Sequence, residues 1–179
     1  MKKINWFFAA IMILLLSHNT NAQTDNNETI RWMTFEQAIK LNETSPKKIF
    51  IDIYTDWCGW CKKMDETTFL DKEVIAYMNE NFYAVKFNAE QAENIEFKGY
   101  TFVNPNPLGS KKGTHQLAAA LLQGKMSYPS YVFMSEDNNG ITVLPGYVDA
   151  QKLMPALKYI ATNAYLTTSW QEFTNQNNK

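Results

Sequence analysis

Two neighbouring cysteines constrain this chain more than any other feature. Cys58 and Cys61 are the only cysteines among its 179 residues. They follow a short apolar run over residues 49–54, rich in β-branched and aromatic side chains, which predicts a buried strand. Residues 58–69 favour a helix. The pair therefore stands where a buried strand gives way to a helix.

This placement indicates reactivity rather than cross-linking. A disulfide between Cys58 and Cys61 closes almost no loop, so it adds little stability through the entropy of the unfolded chain. A thiolate at a helix N-terminus faces unpaired N–H groups and the positive end of the helix dipole, which lowers the thiol pKa below its ordinary value of about 8.5. We assign Cys58, at the terminus, as the nucleophile and Cys61 as the resolving thiol. The only redox group we expect is the Cys58–Cys61 disulfide, with no added cofactor.

The same cysteine spacing also serves metals and haem, and neither fits. A structural zinc site needs four ligands, and beyond residue 22 only His115 could join the two cysteines. Covalent haem attachment requires a histidine directly after the second cysteine, where this chain has Lys62. We therefore predict no metal site, and we expect His115 to be an ordinary residue at a helix start.

The first 22 residues predict a cleavable signal peptide. Two lysines precede an apolar run over residues 4–16, and a short polar stretch ends at Ala22. An uncleaved anchor is the alternative, but the apolar run is shorter than the roughly 20 residues that cross a bilayer. We expect a periplasmic or otherwise exported protein with no stable membrane insertion after cleavage.

The rest of the chain predicts one domain without an electrostatic partner. The polar residues 23–31 predict a flexible leader, and residues 32–179 are long enough to bury a core. Removing residues 1–22 takes away two lysines and no acidic residue, so the formal net charge falls from −1 to −3. The lysine pairs are scattered rather than clustered on one face, so we expect no nucleic-acid partner.

Local patterns predict further helices and strands in alternation. Thr34 and Gln37 begin a first helix with a capping box, Asp71 caps a second, and a strand follows over 82–87. An insertion over about 91–114 holds a hairpin and precedes a short helix capped by Thr114. Strands over 131–134 and 141–144 are joined by a turn at 137–140, and they are followed by a helix from Asp149 to about Thr162 and a last short helix packed by Trp170 and Phe173. This order predicts an α/β fold with a central mixed sheet and helices on both faces.

At the cysteines the chain resembles the thioredoxin superfamily. Residues 51–62, Ile-Asp-Ile-Tyr-Thr-Asp-Trp-Cys-Gly-Trp-Cys-Lys, are similar to the active-site strand, turn and helix of that family, including the spacing from a buried aspartate to the first cysteine. Residues 84–88 are similar to its next central strand, residues 127–130 to its cis-proline loop, and Gly146 to a glycine before its last helix. The resemblance implies a thioredoxin fold, with the predicted insertion before the cis-proline loop.

The resemblance also implies roles for two charged residues on the central strands. Asp52 as a catalytic residue has a raised pKa and takes the proton from Cys61 as that thiol attacks. As a structural residue it is a buried carboxylate that costs stability unless it is paired or neutral. Lys86 either modulates Asp52 from the neighbouring strand or is a solvated strand lysine.

Four further residues are candidates for substrate binding. The resemblance implies that Pro129 is cis and that the Tyr128 backbone pairs with an extended substrate segment, as in strand addition. Trp57 and Trp60 then flank the two cysteines as an exposed apolar contact. The alternative for Trp57 is a place in the core.

The resemblance implies an enzyme that exchanges disulfides. The Gly59-Trp60 pair between the cysteines differs from the Gly-Pro of typical thioredoxins, and the chain looks more like the exported thioredoxin-like proteins of bacteria. We expect a thiol:disulfide oxidoreductase that acts on protein thiols and disulfides with a redox partner protein, in the reducing direction. A disulfide oxidase or isomerase is one alternative. A thioredoxin-fold binding module in which the two thiols are incidental is another.

Overall fold

The protein is described by a computed structural model over residues 29–108 and 113–177. The predicted signal peptide and most of the predicted leader lie outside these residues. In chain order the elements are β1 (Trp32–Met33), α1 (Phe35–Asn42), β2 (Lys48–Tyr54), α2 (Gly59–Glu66), α3 (Lys72–Asn81), β3 (Phe82–Asn88), β4 (Ile95–Phe97), β5 (Tyr100–Phe102), α4 (Gln116–Leu121), β6 (Ser130–Met134), β7 (Gly140–Pro145), α5 (Ala150–Ala161) and α6 (Trp170–Asn177).

Five of the strands form one mixed sheet in the order β1-β3-β2-β6-β7. β3 lies parallel to both β1 and β2, whereas β6 runs antiparallel to β2 and pairs with β7 in a hairpin. β2 is the central strand, and its residues are buried from Lys48 to Ile53. A strand with neighbours on both sides and helices on both faces needs an apolar sequence without alternation, which is the pattern that predicted it.

Helices cover both faces of this sheet, as predicted. Phe50 of β2 belongs to an apolar cluster that includes Met64 of α2, together with residues of α3 and α5. Ile51, the next residue, points to the other face and joins Phe35 of α1 and Leu117 of α4. Because successive strand residues point to opposite faces, Asp52 lies on the same face as Phe50 and beneath α2.

Most of the predicted helix starts are confirmed. Thr34 and Gln37 form the reciprocal hydrogen bonds of a capping box at α1. Asp71 caps α3, and Asp149 caps α5. These side chains accept N–H groups of the first turn that have no partner within the helix.

The predicted cap of α4 is wrong by one residue. Thr114 is not the cap, because the Nδ1 atom of His115 accepts the backbone N–H of Leu117 at 3.1 Å. The imidazole is buried against Phe87, and its Nε2 lies 3.0 Å from the carbonyl oxygen of Glu93. With Nδ1 accepting, Nε2 is the nitrogen that carries the proton and donates. His115 therefore belongs to the fold and takes no part in the site, as its sequence context indicated.

The predicted insertion contains the expected hairpin. β4 and β5 pair antiparallel with Ile95 opposite Phe102, and the turn at Lys98 and Gly99 adopts positive φ. Residues 109–112 of this segment lie outside the described residues. That the segment is an insertion relative to the family stays a prediction.

Two elements at the ends of the domain complete the fold. β1 was not predicted, since two residues are too few to show a period. The last helix, α6, was predicted, and its Trp170 and Phe173 pack on Tyr159 of α5 with ring centroids 5.3 and 5.0 Å apart.

Candidate active site

The two cysteines lie at the start of α2, which a short turn connects to the end of β2. Cys58 is the N-cap of α2, with extended backbone, and its Sγ accepts the N–H of Cys61 at 3.0 Å. The two sulfurs are joined in a disulfide with an S–S distance of 2.03 Å. Both residues are almost fully buried, Cys58 being 4% and Cys61 2% exposed. The predicted arrangement of a C-x-x-C pair at a strand-to-helix junction is confirmed.

Asp52 and Lys86 lie together beneath this helix. They are register partners on β2 and β3, and the Lys86 ammonium donates to Oδ2 of Asp52 at 2.6 Å. The other carboxylate oxygen, Oδ1, is buried and has no hydrogen-bond partner among the described residues. Lys86 is therefore not the solvated strand lysine of the alternative interpretation, and Asp52 is a paired rather than an isolated buried carboxylate.

The environment of Asp52 favours its protonated form. Burial raises the pKa of Asp52 from 3.8 to about 6, although the charge and hydrogen bond of Lys86 lower it. A carboxyl group that titrates close to neutral pH can both accept and return a proton under physiological conditions. This property is the one that the catalytic interpretation of Asp52 requires.

Asp65 is a member of this cluster that the sequence analysis missed. It lies on α2 one turn after Cys61 and on the same helix face, and its carboxylate also accepts from the Lys86 ammonium. Burial lowers the pKa of Lys86, but the charges and hydrogen bonds of Asp52 and Asp65 together raise it by more, so the pKa lies above its ordinary value. The spacing of four residues from Cys61 was the available signal. It identifies a shared helix face, but only the fold brings that face onto Lys86.

Exposed aromatic side chains border the disulfide. Trp57 is 67% and Trp60 63% exposed, so the alternative that places Trp57 in the core is wrong. The Trp57 ring meets Tyr128 edge to face at 5.9 Å, and its indole N–H donates to a carboxylate oxygen of Glu90 at 2.9 Å. Glu90 was missed, because an acidic residue after a strand carries no signal of an indole partner.

The loop that contains Tyr128 and Pro129 approaches the same place. The Tyr128–Pro129 peptide bond is cis, as predicted. The Pro129 carbonyl accepts the N–H of Gly146, 2.7 Å away, at the end of β7. The next residue, Tyr147, was also missed, and its ring lies 5.4 Å from that of Trp60. Of the eight predicted site residues, six therefore lie around the start of α2: Trp57, Cys58, Trp60, Cys61, Tyr128 and Pro129. The other two, Asp52 and Lys86, lie beside the same helix, which they reach through Asp65.

Residues 29–108 and 113–177 contain no cluster of three or more His, Cys, Asp or Glu side chains that could hold a metal ion. Over the same residues, no helix has both the length and the apolar character to cross a bilayer.

Comparison with known proteins identifies the family. Residues 35–161 match a family model described as a thioredoxin-like domain. The thiol:disulfide interchange protein DsbD of Photorhabdus laumondii is 30% identical over 76 residues, which are 42% of this chain and 12% of that protein. The chain thus matches about an eighth of the length of this relative.

Solved structures agree on the fold. A thioredoxin-fold protein from Helicobacter pylori superposes with a TM-score of 0.56 at 18% identity, over 86% of this chain and 85% of its own. A thioredoxin from Thermus thermophilus gives a TM-score of 0.56 at 14% identity, over 75% and 89%. At these identities the two likenesses concern the fold alone. Since the family model covers more than half of the chain, the protein belongs to the thioredoxin-like family.

Proposed function

We propose that this protein is an exported thiol:disulfide oxidoreductase that reduces disulfides in protein substrates through Cys58 and Cys61. The observation that carries the proposal is the position of the disulfide-bonded cysteines at the start of α2, the helix whose Asp65 shares the Lys86 ammonium with the buried Asp52. The match to a thiol:disulfide interchange protein supports the same class of reaction.

The proposed reaction begins with the reduced protein. The Cys58 thiolate attacks one sulfur of a substrate disulfide, which forms a mixed disulfide and releases the first substrate thiolate. Asp52 then takes the proton of the Cys61 thiol, and the Cys61 thiolate attacks the Cys58 sulfur. This step releases the second substrate thiol and forms the Cys58–Cys61 disulfide. The substrate gains two electrons and the protein loses two, which a redox partner protein restores.

The proton chemistry beneath α2 supports disulfide exchange through Cys61. Resolution of the mixed disulfide needs a base that is ionised near neutral pH and lies close to Cys61. A pKa of about 6 leaves Asp52 mostly ionised at pH 7 yet basic enough to accept a thiol proton. The resemblance of the active-site segment to exported reductases favours the reducing direction.

The equilibrium reduction potential of the Cys58–Cys61 pair tests the direction. We would titrate the purified protein against glutathione and dithiothreitol and follow the fluorescence of Trp57 and Trp60, which flank the pair. A value near roughly −270 mV is expected for a reductase, whereas one near roughly −120 mV would assign the protein to the oxidants. Refolding of a scrambled disulfide substrate would reveal isomerase activity.

Trapping tests the proposed substrates. In Cys61→Ser the resolving thiol is absent, so covalent adducts of Cys58 with protein substrates should accumulate and release on reduction. The control is Cys58→Ser, which should trap nothing. If Cys58→Ser kept the full cellular role of the protein, the binding-module alternative would replace the enzyme.

Export is tested by the N-terminus of the protein recovered from the producing cells. Cleavage after Ala22 predicts a mature chain that begins at Gln23 in the exported fraction. Recovery of the intact chain from the cytoplasmic fraction alone would contradict export, without touching the redox proposal.

A further inference from the structure

Each exposed tryptophan beside Cys58 is paired with a tyrosine from a distant part of the chain. Trp57 meets Tyr128, which precedes the cis peptide bond, and Trp60 meets Tyr147, which follows β7. The second pair consists of side chains that the fold does not need in its core, since Trp60 is 63% and Tyr147 39% exposed. Exposed aromatic side chains grouped beside a reactive group are typical of binding surfaces.

Tyr147 is fixed in place from two directions. Gly146, with φ of +86°, turns the chain at the end of β7, and its N–H donates to the Pro129 carbonyl. On the other side, the Thr67 hydroxyl donates to the Lys63 carbonyl at 2.6 Å, so its oxygen is free to accept the Tyr147 hydroxyl proton at 3.4 Å. Tyr147 therefore contacts α2 near both of its ends, through Trp60 at the start and Thr67 after the last turn.

We propose that Tyr147 is a specificity-determining residue, which with Trp60 forms an apolar surface beside Cys58 that selects polypeptides with an aromatic or aliphatic residue next to the reacting cysteine. This inference rests on the proposed function and adds a substrate class to it. An apolar neighbour that covers the two rings removes apolar surface from water, which stabilises the complex. A small polar neighbour covers little of this surface and leaves the rings exposed to water. Glutathione disulfide offers no such side chain.

Two symmetrical peptide disulfides measure this selectivity. The peptides are identical and uncharged except that phenylalanine flanks the cysteine in one and serine in the other. Reduced full-length protein attacks the peptide disulfide through Cys58, which releases one peptide thiol, and Cys61 then displaces the second peptide thiol. The protein loses two electrons and the peptide disulfide gains two. Tryptophan fluorescence gives the second-order rate constant of the reaction with each peptide.

The expected result is a ratio of rate constants that depends on the Tyr147 ring. The wild-type protein should react about tenfold faster with the phenylalanine peptide, and Tyr147→Ala should reduce this preference to about threefold or less. Tyr147→Phe keeps the ring and should keep the preference. The matched control is Tyr100→Ala, which removes a 71% exposed tyrosine on β5 and should leave the ratio unchanged.

The ratio separates selectivity from general damage, because a loss of folding or of thiol reactivity slows both peptides alike. Equal rates for the two peptides in the wild-type protein would overturn the inference before any variant is made. An unchanged preference in Tyr147→Ala would overturn it as well. Oxidation by glutathione disulfide is measured in parallel, and failure of the wild-type protein to react with any of the three disulfides would overturn the proposed function itself.

Discussion

Two ion pairs of similar geometry lie near opposite ends of β2. At its first residue, Lys48 contacts Glu136 at 2.6 Å, and four residues later Asp52 contacts Lys86 at the same distance. Their burial is reversed. In the first pair the lysine is buried, with 3% exposure, and the acid is 41% exposed, whereas in the second the acid is 1% and the lysine 23% exposed.

The reversal decides which pair can carry proton chemistry. At Glu136, partial burial raises the pKa, but the hydrogen bond and charge of Lys48 lower it more, so this acid stays ionised near neutral pH. At Asp52, burial outweighs the effect of Lys86 and raises the pKa to about 6. Asp52 can therefore exchange a proton near neutral pH, whereas Glu136 stays charged and paired with Lys48.

The largest difference between the pairs is expected in the rate of disulfide exchange. Asp52→Asn removes the proposed base for Cys61, so resolution of the mixed disulfide should slow by about 100-fold at pH 7. The matched variant Glu136→Gln should change this rate less than about twofold, since Glu136 lies at the far end of β2. Rapid-quench analysis of the mixed disulfide measures both. Equal rates for Asp52→Asn and the wild-type protein would remove Asp52 from the proposed mechanism.

The two acids should contribute to stability with opposite pH dependence. Because the pKa of Asp52 is about 6 when folded and 3.8 in its ordinary state, the folded protein holds a proton that the unfolded chain releases. The stability that this proton contributes is fully present below pH 3.8 and is lost as the pH rises through about 6. A shift of about two units corresponds to about 3 kcal/mol. As the pH rises from 4 to 7, the free energy of unfolding of Asp52→Asn should therefore increase by about this much relative to that of the wild-type protein. Urea unfolding without reductant measures the difference.

Glu136 supplies the opposite case for the same measurement. Its pKa is lower in the folded protein, so its contribution is present above its ordinary value and is lost as the pH falls. Glu136→Gln should lose stability relative to the wild-type protein as the pH rises from acid to neutral. The same sign of change in both variants would contradict the contrast between the pairs.

Lys48 is expected to matter for stability and not for activity. Lys48→Met keeps the length of the side chain and the apolar contacts of its stem but removes the charge. Glu136 can then be hydrated, so the free energy of unfolding should fall by only about 1 kcal/mol. Exchange activity should be unchanged. A loss larger than about 3 kcal/mol would show that Glu136 behaves as a buried charge left without its partner.

The smallest effect is expected from the second carboxylate at Lys86. Asp65 is 46% exposed, and its charge raises the pKa of Asp52. In Asp65→Asn the pKa of Asp52 should fall, and the pH profile of mixed-disulfide resolution should move to lower pH. The rate change at pH 6 should be about two- to fivefold. A shift to higher pH would mean that Asp65 acts mainly through the position of Lys86.

The central strand β2, the reactive residues and most of the helix starts were predictable because their signals are local. The apolar run of β2, the acid within it and the C-x-x-C pair are contiguous, and Thr34, Asp71 and Asp149 each act on the turn that follows them. The structure formed at each of these positions depends on residues that are close together in the sequence.

The missed residues depend on contacts between distant segments. Asp65, Glu90 and Tyr147 have ordinary surface composition, and only the packing of α2 against β3 and of the β7 end against α2 gives them partners. The cap of α4 failed for a related reason. Thr114 has the stronger cap propensity, but the burial of His115 against Phe87 places an acceptor nitrogen at the helix start.

Cys58 begins the proposed reaction and also begins the helix. Because its sulfur accepts the Cys61 N–H, replacing it changes the end of α2 as well as the chemistry. Serine offers an oxygen acceptor that is among the best N-caps, whereas alanine offers none and costs about 1 kcal/mol at such positions. A helix frayed there would also displace Cys61. In an inactive Cys58→Ala variant, the loss of the helix cap and the loss of the thiol could not be told apart. Cys58→Ser keeps a cap, so its inactivity would assign the loss to the missing sulfur.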